Sequence, residues 1–157
     1  MELLPKTIIL RHRRENLRKC SLRGLESRQD MQFYTYPKDT LPSLENTILL
    51  TLDAPEITKE DSSFSLFLID GTWKYSTVMY NQLPKPPLFQ KRSLPKELRT
   101  AYPRKQDDCV DPERGLASIE ALFAAYFLLG WNTEGILDLY HWKDLFLEKN
   151  NQFFLNM

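Results

Sequence analysis

The chain has 157 residues, of which 42% are hydrophobic and 27% charged, and its 21 basic side chains balance its 21 acidic ones. This length and composition are ordinary for one globular domain with a substantial core, expected to span residues 1–157. Zero net charge excludes a strong overall field for attracting nucleic acid, and no apolar run is long enough to cross a membrane.

The first 30 residues form a basic head, with eight basic side chains against four acidic ones. A short predicted strand, Thr7–Leu10, leads into an arginine-rich segment, Arg11–Arg23, which is either a short amphipathic helix or a basic loop. Such a run is often only a solvated face. Here aromatic side chains follow it, at 33, 34 and 36, and arginines beside aromatic rings suit phosphate contacts and base stacking on RNA. The RNA-binding candidates, two of them in a later loop, are Arg11, Arg13, Arg14, Arg18, Lys19, Arg104 and Lys105.

The cysteines give no sign of a metal or a disulfide. Cys20 and Cys109 lie far apart and outside any zinc-ligand spacing, so we expect no metal. The N-terminus lacks the charged-then-apolar order of a signal peptide, which predicts a cytoplasmic protein.

Three further strands are predicted, over Met31–Tyr36, Thr47–Leu52 and Ser65–Ile69, with a polar loop or poor helix from 56 to 63. The uninterrupted apolar run from 66 to 69 is typical of a strand buried in a parallel sheet.

Helices dominate the second half of the chain. Apolar side chains at helical spacing predict a helix after Trp73, which the prolines from Pro84 onward end. A long loop, Ser93–Asp111, separates it from the strongest predicted helix, Gly115–Gly130, and a further helix is predicted over Thr133–Asn150. Strands followed by helices favour a single-domain α/β fold with a mostly parallel sheet flanked by helices.

The strand over 65–69 ends abruptly at Asp70-Gly71-Thr72-Trp73. Ligands of open α/β proteins collect at the carboxyl ends of the strands. Asp70 there is either a local cap for the following helix or a carboxylate that binds an amine or accepts a proton. Trp73 is either a core residue or the wall of a site for a flat or sulfonium-bearing ligand.

Two polar residues, Ser118 and Glu120, interrupt the start of an otherwise apolar helix. They are either a cap and an acid that complements the helix dipole, or part of a ligand site. An unpaired carboxylate is costly to bury, so we expect Glu120 to face the rim or a ligand. Backbone N–H groups at the helix start could hold an anionic group such as a carboxylate. His12 and His141 have no recognisable partner and are interpreted as surface or packing residues.

These segments occur together and in an order that resembles that of the DTW-domain proteins. That family includes tRNA-uridine aminocarboxypropyltransferases and is related to the rRNA aminocarboxypropyltransferases of ribosome maturation. The similarity covers about residues 65–130 and rests on Leu68–Trp73, Met79, Tyr102 with Arg104, and Gly115–Ala121. Residues 18–23 more faintly resemble the Lys-Cys-Thr head of the rRNA branch. The chain departs from the family in lacking an N-terminal cysteine cluster, in reading Ala-Ser-Ile at 117–119, and in a shortened Tyr-Pro-Arg spacing.

The resemblance implies a SPOUT-like fold, which is knotted in the rRNA branch, with S-adenosylmethionine as co-substrate and no metal. It implies transfer of the 3-amino-3-carboxypropyl group to a uridine of RNA, with tRNA preferred to rRNA. Asp70 would be catalytic, and Arg-rich segments would hold the RNA. The donor would be held by Asp70, Thr72, Trp73, Leu116, Ser118 and Glu120. Three alternatives stay open: methyl transfer by a SPOUT-type enzyme, a non-catalytic RNA-binding or ribosome-assembly module, and a protein-interaction module.

Overall fold

The computed structural model describes residues 6–14, 20–85, 87–103 and 115–155. Five strands, all parallel, form one sheet in the order β2-β1-β4-β3-β5. Their bounds are β1 Thr7–His12, β2 Met31–Tyr36, β3 Thr47–Leu50, β4 Ser65–Asp70 and β5 Gln90–Arg92. The expected α/β architecture with a parallel sheet and flanking helices is confirmed.

Helices cover both faces of this sheet. Their bounds are α1 Trp73–Asn81, α2 Ser118–Leu129, α3 Lys143–Lys149 and α4 Asn151–Leu155. Successive strand residues point to opposite faces, so Leu66 and Leu68 pack in the core beneath α2, whereas Phe67 packs with Met79 of α1. Asp70, two residues beyond Leu68, therefore faces α2. No helix in the described ranges is long and apolar enough to cross a membrane.

The predicted helix over Thr133–Asn150 is wrong in its first half. Residues 134–139 form turns, and α3 begins only at Lys143. Gly135 has a φ of 83°, in the left-handed region, and the following backbone bonds are three residues apart, as in Ile136 N–H to Thr133 C=O. Turn geometry at Gly135 thus replaces helix there, although the side-chain pattern fits a helix.

The basic head also differs from expectation where it is described. β1 continues through Arg11 and His12, residues 13 and 14 form a turn, and residues 21–24 form turns. The predicted helix or loop from 11 to 23 is thus partly strand. Its residues 15–19 lie outside the described ranges.

Candidate active site

The carboxyl ends of β1 and β4 bring Arg11 and Asp70 side by side. The two residues are register partners of neighbouring parallel strands, so their side chains project from the same face. Arg11 Nε lies 3.4 Å from Asp70 Oδ2, and both residues are more than nine-tenths buried. This ion pair marks the strand edge where α/β proteins bind ligands.

Asp70 is the centre of a hydrogen-bonded group. Ser118, the first residue of α2, donates its hydroxyl to Oδ1 at 2.7 Å, and the Cys20 thiol donates to Oδ2 at 3.2 Å. A carboxylate has about four lone-pair sites. With Arg11 as the third donor, the described residues leave one of these sites without a donor, and a ligand could supply one. Asp70 is not the helix cap, since Thr72 holds that position.

Arg11 is predicted to bind RNA, and the structure places it buried beside Asp70. Its guanidinium lies 4.7 Å from the ring centre of Phe33, and Nη1 also reaches Glu26 at 3.5 Å. Nη2 is buried and has no hydrogen-bond partner within the described part of the chain. A buried guanidinium nitrogen without a partner is costly and can be satisfied by an anionic or carbonyl group of a ligand.

The thiol of Cys20 is a hydrogen-bond donor rather than a nucleophile. Burial, followed by the neighbouring charge of Asp70, raises the pKa of Cys20 to about 12. The thiolate is the reactive form, and it is scarce at neutral pH when the pKa is this high. Cys20 therefore helps to hold the Asp70 carboxylate.

The segment from Gly71 to Trp73 starts α1 tightly against the end of β4. A Cβ atom at Gly71 would lie 3.0 Å from Met79 Cε and 3.4 Å from Tyr75 Cβ, so the turn leaves little room for a side chain. Thr72 is exposed, and its hydroxyl makes no capping hydrogen bond, so it is available at the rim beside Asp70. The side chain of Trp73 lies outside what the structure describes.

Glu120 does not face the rim, contrary to expectation. It is fully buried, and its burial is tolerated because its two oxygens accept four hydrogen bonds. The donors are the Thr100 hydroxyl at 2.6 Å, the Ala101 N–H at 2.9 Å, the Ala117 N–H at 2.8 Å and the Tyr140 hydroxyl at 3.0 Å. Glu120 thus joins the 100–102 loop, the start of α2 and the segment before α3, and all four donors to its carboxylate come from the protein.

The backbone at the start of α2 is partly occupied. The Ile119 N–H donates to Ser21 Oγ at 3.2 Å, and the Ala117 N–H is taken by Glu120. These two groups are therefore not free to hold a carboxylate, as the sequence suggested for this helix start. Through its bond to Ile119, Ser21 connects the predicted basic head to α2.

A cavity of about 300 Å³ lies at the carboxyl ends of β3 and β4, beside the start of α2. This volume is at the lower end of the range for ligand pockets. Leu68, Leu94 and Leu116 give it apolar walls, and Thr51 Oγ1 on its lining is buried without a partner in the described ranges. Asp53 adds a carboxylate at the mouth. Leu116, predicted to bind the donor, lines this cavity, and that role stays a prediction, whereas Thr51 was not predicted.

Of the remaining basic candidates, the structure describes Arg13 and Arg14. Arg13 and Arg14 are exposed directly after β1, and His12 before them is buried, stacking on Tyr75 with ring centres 4.0 Å apart. Arg18, Lys19, Arg104 and Lys105 lie outside the described residues. Across the described ranges, no group of three His, Cys, Asp or Glu side chains could hold a metal ion.

Sequence reasoning missed the partners of Asp70. The sequence does indicate that Arg11 lies at the polar end of a predicted strand. Only the strand order, however, places it beside Asp70. Nothing in the sequence pairs Cys20 with that carboxylate, or Tyr140 with Glu120. Asp70 and Ser118, both predicted, are brought together.

No protein-family model matches the sequence, and no curated protein matches it, so the DTW resemblance stays a prediction. Among solved structures, the chain is similar to the SAM-dependent rRNA:acp-transferase Tsr3 from Vulcanisaeta distributa. The TM-score is 0.74 at 25% sequence identity, over 98% of this chain and 83% of that one. The whole described architecture, including the strand edge that carries Asp70, is thus similar to that of a transferase.

Proposed function

We propose that this protein transfers the 3-amino-3-carboxypropyl group from S-adenosylmethionine to a base of RNA. The observation that carries the proposal is Asp70, held by Arg11, Cys20 and Ser118 at a ligand-binding strand edge, in a fold similar to that of an rRNA acp-transferase. Following the sequence resemblance, we propose a uridine as acceptor and tRNA ahead of rRNA. The similarity to Tsr3 supports RNA as the class of acceptor.

The cavity beside β3 and β4 suits the nucleoside end of the donor. Its leucine walls would cover the adenine, the unpartnered Thr51 hydroxyl offers a hydrogen bond, and Asp53 can accept from ribose hydroxyls. The methionine end would then extend past Leu116 toward Ser118 and Asp70. Arg11 Nη2 is a buried cationic donor on that side, suited to the donor's carboxylate.

The reaction requires the protein mainly to position the donor and the base. A nitrogen of the base attacks the γ-carbon of the aminocarboxypropyl group, the bond from that carbon to sulfur breaks, and the sulfonium leaves as neutral methylthioadenosine. The base nitrogen loses one proton. The open site on Asp70 can either take that proton or fix the donor's ammonium group, and either role aligns the reacting atoms.

Methyl transfer would use the same donor and present a different carbon. Mass spectrometry of nucleosides from separated tRNA and rRNA of a strain lacking the gene distinguishes the two. We expect loss of a nucleoside heavier by one aminocarboxypropyl group, restored by the wild-type gene and not by the Asp70→Asn variant. Loss of only a methyl-sized mass would assign methyl transfer, and unchanged nucleosides with no donor binding by calorimetry would favour a non-catalytic module.

Exposed arginines beside the site are proposed to hold the RNA phosphates. Replacing Arg13 and Arg14 with glutamine should weaken binding of single-stranded RNA. The slope of log K against log salt should fall by about 1.4, at about 0.7 for each lost phosphate contact. Lys6 and Lys59, exposed at the opposite edge of the sheet, serve as the matched double control. Equal slopes in both double variants would move the RNA surface elsewhere.

A further inference from the structure

A second cavity, of about 310 Å³, shares no lining residue with the leucine-lined one. Cys20 links this cavity to Asp70, because it lines the cavity while its thiol contacts the Asp70 carboxylate at 3.2 Å. A group bound here would therefore lie one side chain away from Asp70. The cavity is lined by Cys20, Ser21, Arg23, Tyr102, Leu139, Tyr140, His141 and Trp142.

The linings of the two cavities differ in chemistry. The leucine-lined cavity has no aromatic ring on its described lining, whereas the second has four, together with the guanidinium of Arg23. Planar rings and arginine are the side chains on which unstacked RNA bases pack. The second cavity has room for one nucleoside and not for a strand, as in enzymes that extract a single base for chemistry.

The walls of this second cavity are fixed by the buried carboxylate of Glu120. One oxygen holds the Thr100 hydroxyl, the other holds the Ala101 N–H directly before Tyr102, and that second oxygen also holds the Tyr140 hydroxyl. The two aromatic walls therefore have a common anchor. Because these side chains are already held in place, the second cavity can bind a flat ligand with little loss of side-chain entropy.

We propose that this cavity, whose lining includes Tyr102 and Trp142, receives the single RNA base that accepts the transferred group. The inference rests on the proposed function and extends it by naming where the acceptor binds. The base would enter past Arg23 and stack against the aromatic walls. Its reacting nitrogen would face Asp70, with the donor's γ-carbon arriving from the leucine-lined cavity.

The kinetic test uses Arg23→Gln and Trp142→Ala, with Lys59→Gln and Tyr80→Ala as controls at distant sites. Transfer is measured with labelled donor and total RNA from the strain lacking the gene. Both cavity variants should raise the KM for RNA about 10-fold, the size expected from losing one base-stacking contact, with the donor Kd unchanged by calorimetry. Because Arg23 is exposed, its variant reports on the cavity even if Trp142→Ala unfolds. Wild-type KM in a folded Arg23→Gln variant and in a folded variant without a ring at 142, Trp142→Ala or Trp142→Leu, would overturn the proposal.

A second readout requires binding only and so separates this proposal from the proposed function. A short single-stranded RNA carrying 4-thiouridine is photocrosslinked to the wild-type protein, and the labelled peptide is mapped by mass spectrometry. Crosslinks at 20–23, 102 or 139–142 support the cavity whether or not transfer occurs. Crosslinks confined to other segments overturn the acceptor site, and active transfer in the same preparation would leave the proposed function standing.

Discussion

At the scale of single residues, Asp70 is the side chain on which the proposed chemistry depends. It is buried, paired with Arg11 and held by two further donors, and this arrangement fixes the orientation of its carboxylate. The sequence places Asp70 at a strand end and leaves two interpretations, cap or functional carboxylate. The structure removes the cap, because Thr72 takes that position, and it supplies partners that the sequence could not pair.

We expect Asp70→Asn to lower the rate of transfer by about 10²–10⁴-fold, as for loss of a positioned acid–base or orienting group. Breaking the buried pair should also lower the free energy of unfolding by about 3 kcal/mol, because Arg11 loses its nearest buried carboxylate. Single-turnover transfer and urea unfolding measure the two effects. Asp138→Asn, at an exposed ion pair with Lys143, is the matched control and should change neither. Wild-type transfer in Asp70→Asn would remove this residue from the chemistry.

Cys20 should react slowly with iodoacetamide at neutral pH, since burial and Asp70 keep its thiol protonated. The reaction is followed in a Cys109→Ser background, so that one thiol is counted. In the native protein the rate should still rise above pH 9, and in urea it should level off near the ordinary thiol pKa, about 8.5. Combining the background with Asp70→Asn should speed the native reaction, because the neighbouring negative charge is gone. A fast native reaction at pH 7 would contradict the assigned donor role.

At the scale of elements, the strands were easier to predict than the last helices. Residues 31–36 alternate and are rich in aromatic side chains, residues 65–69 contain an uninterrupted apolar run, and both are strands in the structure. The segment 133–142 has a helical pattern of apolar residues but folds as turns, because tertiary packing of Ile136, Leu137 and Tyr140 does not require a helix. Pattern alone cannot separate these outcomes, since both bury the same side chains.

The start of α2 depends on the carboxylate of Glu120. In Glu120→Gln the amide nitrogen replaces one of the two oxygens, and each oxygen now accepts from a backbone N–H, so either the Ala101 or the Ala117 N–H would be left buried and unpaired. We expect a loss of about 3 kcal/mol in the free energy of unfolding. The KM for RNA should also rise, because Tyr102 and Tyr140 lose their common anchor. Glu148→Gln, at an exposed position on α3, is the control and should stay within about 0.5 kcal/mol of wild type. Equal free energies of unfolding in Glu120→Gln and Glu148→Gln would show that the hydrogen bonds to Glu120 do not stabilise the fold.

At the scale of the whole molecule, distant segments meet around one sheet edge. The site combines residues near 11, 20, 70, 101 and 118, and the parallel strand order brings them together. Thr7 in β1 and Tyr126 in α2, 119 positions apart, share a hydrogen bond of 2.6 Å that ties the N-terminal strand to the core helix. Composition and periodicity predict the layers of such a fold. They do not give the strand order, and so the pairs across the site had to come from the structure.

The pH dependence of stability should report this architecture through His12, which lies buried between Tyr36 and Tyr75 at the end of β1. Burial, followed by the charges of Arg13 and Arg14, lowers the pKa of His12. The unfolded chain therefore binds the proton first, near pH 6.5, and the free energy of unfolding should fall as the pH is lowered from 7.5 to 5.5. Asp30, whose pKa is lowered by the Arg28 hydrogen bonds, adds a further loss only at more acidic pH.

Urea unfolding at pH 7.5 and 5.5 measures this difference in the free energy of unfolding. His12→Gln should shrink it. An undiminished loss in His12→Gln would mean that groups other than His12 take up the protons on unfolding in this range.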